Sequence, residues 1–122
     1  MASRKSIMVV DDDDDVRRML CVILEGEGYD TVGAADGIEA LERMRRDPPS
    51  LVFVDLMMPR MDGAHLIRSM NDDAVLSHIP IAIMSGQTTA PADALAKAKA
   101  RLMKPVELDD VLTLANRYIH AA

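Results

Sequence analysis

The sequence predicts an α/β fold: a doubly wound, five-stranded parallel sheet with five flanking helices, in one domain over residues 1–122. Two observations lead to this prediction. Short apolar segments alternate along the chain with segments in which apolar residues recur at helical spacing. Three of the short segments are solidly apolar, which is typical of parallel strands buried on both faces.

Five segments are predicted strands. Three are apolar throughout and two are more polar, as edge strands usually are. The apolar three are Ile7–Val10, Leu51–Val54 and Ile79–Met84, and the more polar two are Thr31–Ala34 and Arg101–Met103. If the apolar three are central, the strand order is 2-1-3-4-5, which is the flavodoxin-like order.

Five segments with helical periodicity separate or follow these strands. Their predicted positions are 16–24, 38–44, 64–70, 92–99 and 107–120. Glycines at 26 and 28 end the first, and the second ends before the proline pair at 48 and 49. We expect Asp14 or Asp15 to cap the first helix. Asp62 and Gly63 are expected to form the turn that begins the third.

Composition narrows the class of protein. Of 122 residues, 49% are apolar and 28% are charged, which is ordinary for a globular domain. The formal net charge of −6 argues against direct nucleic-acid binding by this domain. No apolar run approaches the length of a membrane helix, and the N-terminus lacks a signal-peptide pattern. We therefore expect a cytoplasmic protein that does not bind membranes, and its single cysteine, Cys21, excludes an internal disulfide.

Polar side chains follow the predicted strands at the edge where a doubly wound sheet binds ligands. The first strand leads into Asp11 and Asp12, the third into Asp55, the fourth into Ser85 and the fifth into Lys104. Because the first and third strands are neighbours in the predicted order, three carboxylates should converge. A hydroxyl and an ammonium group should approach them from the other side.

Three crowded carboxylates repel one another, and a hard divalent cation relieves that repulsion. Mg²⁺ prefers oxygen ligands and commonly bridges one or two carboxylates to a phosphate. A carboxylate can itself be a nucleophile that forms an aspartyl phosphate. Mg²⁺, Lys104 and the Ser85 hydroxyl are suited to stabilising the charge of the phosphoryl group.

In these residues the chain resembles the receiver domains of two-component response regulators, of the chemotaxis-regulator-like kind, over essentially its whole length. The resemblance rests on Val9–Asp12, Val54–Gly63, Ser85–Gly86 and Lys104–Pro105. It implies a phosphorylation-activated signalling switch of a two-component phosphorelay, with Asp55 as phosphoacceptor and a histidine kinase or histidine phosphotransfer protein as donor. Such a domain is not an enzyme in the usual sense, since it catalyses only its own phosphorylation and dephosphorylation. Its downstream target would be another protein, which the sequence does not identify.

The resemblance also implies roles for individual residues. Asp11, Asp12, Asp55 and the backbone carbonyl of Met57 would hold Mg²⁺. Ser85 would bond a phosphate oxygen, Lys104 would pair with the phosphate, and the peptide before Pro105 would be cis.

Three features depart from the family pattern, and all lie towards the C-terminal end. The family usually has Tyr or Phe three residues before the lysine, whereas this chain has Arg101, which is buried less readily than an aromatic ring. We therefore identify Ser85 and Arg101 as the switch positions, with altered coupling between them. Only 18 residues separate Ser85 from Lys104, and Val106 stands where Phe is frequent. We therefore expect the phosphorylation site to be intact. We expect the face formed by the fourth predicted helix, the fifth strand and the fifth helix, which the family often uses to bind partners, to be altered.

Three other functions were weighed. A module that keeps the fold but signals without phosphorylation is supported only by Arg101. A flavodoxin-like electron carrier is disfavoured because aromatics make up only 2% of the chain and no phosphate-binding loop follows the first strand. A haloacid-dehalogenase-like phosphatase needs a second aspartate two residues after the nucleophile, where this chain has Met57.

Overall fold

The computed structural model describes residues 6–56, 62–86 and 96–119. These residues form five strands, four α-helices and one 3-10 helix. In chain order the elements are β1 (Ser6–Val10), α1 (Asp14–Gly26), β2 (Asp30–Ala34), α2 (Gly37–Arg46), β3 (Leu51–Asp55), α3 (Gly63–Asn71), the 3-10 helix (Leu76–His78), β4 (Ile81–Ser85), β5 (Ala100–Met103) and α4 (Leu108–Ile119).

The strands form one parallel sheet in the order β2-β1-β3-β4-β5, which confirms the predicted order. Every residue of β1, β3 and β4 is buried, whereas β2 and β5 are partly exposed. The more polar composition of the two edge strands therefore follows from their position in the sheet.

The core consists of two apolar clusters, one on each face of the sheet. Because side chains alternate along a strand, Met8 and Val10 of β1 join one cluster, while Ile7 and Val9 join the other. Helices α2 and α3 cover the first cluster, and α1 and α4 cover the second. Burial on both faces explains why the central strands are apolar at every position.

Half of the predicted helix at 92–99 falls outside the described residues. Of its described part, residues 96 and 97 are helical. The described parts of the chain thus contain four of the five predicted α-helices. None of the helices in these parts is both long enough and apolar enough to cross a membrane.

The cap of α1 differs from the prediction. Asp13, rather than Asp14 or Asp15, is the N-cap: its Oδ1 accepts hydrogen bonds from the backbone N–H of Asp15 at 2.9 Å and of Val16 at 3.2 Å. Asp14 and Asp15 instead occupy the first helical turn, where the helix dipole favours negative charge. At α3 the predicted turn is present, and Asp62 Oδ1 accepts from the N–H of His65 at 2.9 Å.

Strand β4 begins at Ile81 rather than at Ile79. The preceding residues form the 3-10 helix, and Asp73 Oδ1 accepts hydrogen bonds from the N–H groups of Val75 and Leu76. These bonds favour the ionised carboxylate and lower the pKa of Asp73. The apolar residues just before β4 therefore belong to a capped turn and do not extend the strand.

Candidate functional site

Three carboxylates meet at the carboxyl edge of the sheet. Asp11 directly follows β1 and Asp55 is the last residue of the neighbouring strand β3. Asp11, Asp12 and Asp55 each offer a carboxylate oxygen, and these oxygens lie within 4.8 Å of one another. Asp11 is 0% exposed and Asp55 is 4% exposed, whereas Asp12 is open to solvent. The cluster therefore combines two buried acids with one that water can reach.

Asp11 is held by three hydrogen bonds. Its N–H donates to the carbonyl of Ala34 at 3.1 Å, its Oδ1 accepts from the N–H of Asp13 at 2.9 Å, and its carbonyl accepts from Arg17 Nη1 at 2.7 Å. Its second carboxylate oxygen, Oδ2, is buried and has no hydrogen-bond partner among the residues that the structure describes. Buried polar atoms are normally paired, so this oxygen fits a cation ligand.

Lys104 supplies the positive charge of the site. Its Nζ lies 3.1 Å from Asp55 Oδ2 and 3.5 Å from Asp11 Oδ2. The first contact is a hydrogen-bonded ion pair, whereas the second is a longer charge contact that leaves Asp11 Oδ2 without a hydrogen bond. Lys104 directly follows β5, and the peptide that joins it to Pro105 is cis, as the resemblance implied.

Burial, hydrogen bonds and neighbouring charges together set the pKa values of Asp11 and Lys104. Burial raises the pKa of Asp11, and the charges of Asp55 and Asp12 add to this effect; the hydrogen bond from Asp13 and the charge of Lys104 offset only part of it. Burial alone would lower the pKa of Lys104, but its bond to Asp55 and the charges of Asp11 and Asp55 outweigh burial and raise it. The ammonium therefore stays charged, while Asp11 resists ionisation.

Ser85 lies between the acids and the lysine in the order of the strands. It is the last residue of β4, is 1% exposed, and pairs in register with Met103 of β5. On the other side of β4, Asp55 pairs with Met84. Ser85 is thus one residue further along its strand than the partner of Asp55.

Backbone hydrogen bonds between neighbouring segments continue for one residue beyond the strand ends at the carboxyl edge of the sheet. Beyond the Asp11–Ala34 bond, the N–H of Leu56 donates to the carbonyl of Met84 at 3.2 Å, and the N–H of Lys104 donates to the carbonyl of Ser85 at 2.9 Å. These three backbone bonds fix Asp11 and Lys104 themselves, and they fix the chain directly after Asp55 and at Ser85.

Gly63 is a residue of this site that sequence reasoning assigned only to a turn. A Cβ atom at this position would lie 2.5 Å from the carbonyl oxygen of Asp55 and 2.7 Å from the Cα of Leu56. The N–H of Gly63 also donates to the carbonyl of Leu56 at 3.1 Å. The first residue of α3 thus lies directly against the end of β3, and only glycine fits there.

Two of the predicted site residues lie apart from this cluster or outside the described residues. Met57, whose carbonyl was expected to bind the metal, lies outside the described residues. Arg101 is exposed on β5 and pairs in register with Ile83, two residues before Ser85. Val106 is half-buried against the cluster beneath α1 and α4.

Comparisons with known proteins identify the family. A family model described as the response regulator receiver domain matches residues 7–116. The DNA-binding response regulator MtrA of Mycobacterium tuberculosis is 41% identical over 85 residues, which cover 70% of this chain and 36% of that protein. The polar-differentiation response regulator DivK of Brucella ovis is 32% identical over 77 residues, which cover 63% of each chain. The chain thus matches little more than a third of the length of MtrA.

Solved structures show the same fold. A putative response regulator from Chloroflexus aurantiacus superposes with a TM-score of 0.86 at 28% identity, over 96% of this chain and 98% of that one. The receiver domain of NtrX from Brucella abortus gives a TM-score of 0.84 at 29% identity, over 95% and 99%. From the family match over nearly all of the sheet and its helices, the chain belongs to the receiver domains of two-component response regulators.

Proposed function

We propose that this domain is a phosphorylation-activated switch, in which Asp55 accepts a phosphoryl group from a histidine kinase or a histidine phosphotransfer protein. The observation that carries the proposal is the ion pair of 3.1 Å between Lys104 and Asp55, beside two further carboxylates. Phosphoryl transfer depends on positioning and on the stabilisation of spread negative charge. A nucleophilic carboxylate with a charged ammonium beside it has both parts in place.

The acidic cluster is suited to Mg²⁺. Asp11, Asp12 and Asp55 would be its ligands, together with the main-chain carbonyl of Met57. The buried Oδ2 of Asp11, which accepts no hydrogen bond in the described part of the chain, would supply one ligand, and the exposed Asp12 would supply one that faces water. This suits an ion that keeps several of its waters. When bound, Mg²⁺ supplies positive charge that offsets the carboxylates and the phosphoryl oxygens.

In the transfer step, a carboxylate oxygen of Asp55 attacks the phosphorus of the donor. A bond forms between that oxygen and phosphorus, the bond from phosphorus to the donor imidazole nitrogen breaks, and its electron pair remains on the nitrogen. Lys104, which its raised pKa keeps protonated, donates to an oxygen of the transferred group. The Ser85 hydroxyl donates to another from β4. Attack of water on the same phosphorus reverses the modification, so the domain catalyses only its own phosphorylation and dephosphorylation.

The wider setting is also part of the proposal. Residues 1–122 are proposed to form one receiver domain that acts in the cytoplasm on another protein. MtrA is named as DNA-binding, but the present chain matches only 36% of it. With a net charge of −6, this domain is not expected to contact nucleic acid itself.

Incubation with acetyl phosphate and MgCl₂, followed by intact mass spectrometry, tests the proposal. The wild-type chain should gain the mass of one phosphoryl group, and Asp55→Asn should not. Asp72→Asn, which changes an exposed acid at the end of α3, is the matched control and should be modified like the wild type. Modification of Asp55→Asn would place the acceptor elsewhere. A wild-type chain that gains no mass would favour a module that signals without phosphorylation.

A further inference from the structure

Arg17 contacts two of the five consecutive aspartates at 11–15 but has no part in the chemistry proposed above. It lies in the first turns of α1 and is half-buried. Its Nη1 donates to the main-chain carbonyl of Asp11 at 2.7 Å, and its Nη2 pairs with the carboxylate of Asp14. One guanidinium group thus joins the first and the fourth of the five consecutive aspartates, Asp11 and Asp14.

The stem of Arg17 reaches this position by lying across Gly33 of β2. A Cβ atom at Gly33 would lie 3.1 Å from Cδ of Arg17 and 3.4 Å from both Cγ and Nε. Glycine weakens a strand, and within strands it often marks a place where another group approaches closely. Here it leaves room for the arginine stem, and Gly33 pairs with Val9, two residues before Asp11.

The carbonyl that Arg17 holds belongs to the peptide group that joins Asp11 to Asp12. Because a peptide group is planar, fixing its oxygen also fixes the direction in which the chain continues to Asp12. Asp12 is exposed, so core packing does not orient it. The contact with Arg17 therefore sets the backbone from which two of the three carboxylates project.

We propose that Arg17 is a positioning residue for the metal site, which holds the Asp11–Asp12 peptide in the orientation that Mg²⁺ binding requires, and that Gly33 provides the space for it. This inference rests on the proposed function, since it requires Mg²⁺ at the acidic cluster. Groups that orient metal ligands without touching the metal typically change metal affinity by about 10–100-fold when they are removed.

The test is a titration of the whole chain with MgCl₂, followed by NMR at the amides of Asp12 and Asp55. Arg17→Met keeps much of the apolar stem and removes the donors, and should raise the Mg²⁺ dissociation constant by about tenfold. In phosphorylation by acetyl phosphate, the Mg²⁺ concentration that gives half the maximal rate should rise, whereas the rate at saturating Mg²⁺ should not change. Without metal, the carbonyl ¹³C of Asp11 and the amide of Asp12 should shift more than the amide of Asp55.

Four variants separate the contact from other effects. Arg18→Met removes the same charge from the exposed neighbour and should leave the dissociation constant unchanged. Asp14→Asn removes only the ion pair and should also leave it unchanged, while Arg17→Lys should recover part of the affinity. Gly33→Val should weaken Mg²⁺ binding as Arg17→Met does, because the added side chain would overlap the arginine stem, while valine itself favours strands.

The outcomes are distinguishable. If the wild type binds Mg²⁺ at this cluster and Arg17→Met binds it equally well, the inference is overturned and the proposed function stands. Equal weakening by Arg18→Met would attribute the effect to net charge and would also overturn the inference. If the wild type shows no Mg²⁺-dependent shifts at Asp12 or Asp55, the proposed metal site fails and the inference fails with it. Should Arg17→Met not fold, Arg17→Lys and Gly33→Val make the same comparison.

Discussion

The Nζ atom of Lys104 lies 3.1 Å from Oδ2 of Asp55, although these residues stand at the ends of strands that are not neighbours. The ion pair passes over the end of β4, which lies between β3 and β5. Lys104 thus offsets part of the negative charge of the acidic cluster.

Replacing Lys104 with methionine should lower the free energy of unfolding without metal by about 1–2 kcal/mol. This is at the lower end of the roughly 1.5–3 kcal/mol for a bond to a charged group, because the lysine side chain is partly exposed. The pKa of Lys104 is raised above its ordinary 10.5, so this stabilisation is complete at pH 7 and is lost only as the pH rises through the raised value.

The Lys104→Met variant should also bind Mg²⁺ more tightly, because the competing cation is gone. Urea unfolding in EDTA and Mg²⁺ titration measure both effects, with exposed Lys99→Met as the control. Unchanged stability would show that the pair contributes little.

Asp11→Asn should stabilise the metal-free domain at pH 7, by on the order of 1 kcal/mol. The folded-state pKa of Asp11 is raised above 3.8, so the folded chain binds protons more readily than the unfolded chain. The contribution of Asp11 to the unfolding free energy of the wild type should therefore fall as the pH rises from 3.8 through the raised pKa. Urea unfolding of both proteins across this range should show a difference that grows with pH and vanishes below 3.8. A difference independent of pH would mean that the charge of Asp11 is not its cause.

Gly63→Ala should destabilise the fold by on the order of 3 kcal/mol, because the added methyl overlaps backbone atoms that cannot move aside easily. It should also slow phosphorylation, since the carbonyl it meets belongs to Asp55. Gly26→Ala is the matched control: its Cβ meets nothing within 4 Å, and it should be neutral or stabilising by up to about 1 kcal/mol. Thermal unfolding of the two variants compares them directly, and equal stabilities would contradict the close approach at Gly63.

Asp13→Ala should lower the unfolding free energy by about 1 kcal/mol, because two N–H groups of α1 lose their acceptor. Asp15→Ala removes a charge from the first turn but no cap, and should have the smaller effect. Urea unfolding of Asp13→Ala and Asp15→Ala, measured in parallel, shows which variant loses more unfolding free energy. A larger loss for Asp15→Ala would contradict the assignment of Asp13 as the N-cap and support Asp15, one of the two residues expected from the sequence.

Arg101 should remain at the surface when the domain is activated. Its side chain is exposed on β5, and a guanidinium group favours water even where its stem lies on apolar surface. Crystal structures with and without beryllofluoride should show the arginine outside in both. Its entry into the core on activation, or an Arg101→Ala variant that is phosphorylated but loses all partner binding, would contradict this expectation.

The strand order and the meeting of the carboxylates could be predicted because each depends on local pattern. Burial on both faces leaves β1, β3 and β4 apolar at every position, and parallel strands end at one edge, so Asp11 and Asp55 could be brought together from the sequence alone. Strands could be recognised in the sequence where apolar side chains occupy every position, as they do in β1, β3 and β4.

The features that sequence reasoning missed depend on contacts between distant segments or on details of one turn. Nothing in the pattern near Gly63 shows that a Cβ atom there would lie 2.5 Å from the carbonyl oxygen of Asp55, and nothing near Gly33 shows the stem of Arg17. The cap at Asp13 was misassigned because a run of five aspartates offers five similar oxygen acceptors, and only the backbone angles select one. The turn before β4 was assigned to the strand because its isoleucine is as apolar as those that follow.

The backbone bonds that carry the sheet past its strand ends have a consequence for substitutions elsewhere in the chain. Asp11 and Lys104 belong to this hydrogen-bonded framework, and so do the flanks of Asp55 and Ser85. Changes in loops that carry none of the site residues leave these framework bonds in place. Under the proposed function, a change at an exposed position such as Arg101 of β5 can alter the surface that a partner protein contacts and leave these backbone bonds in place.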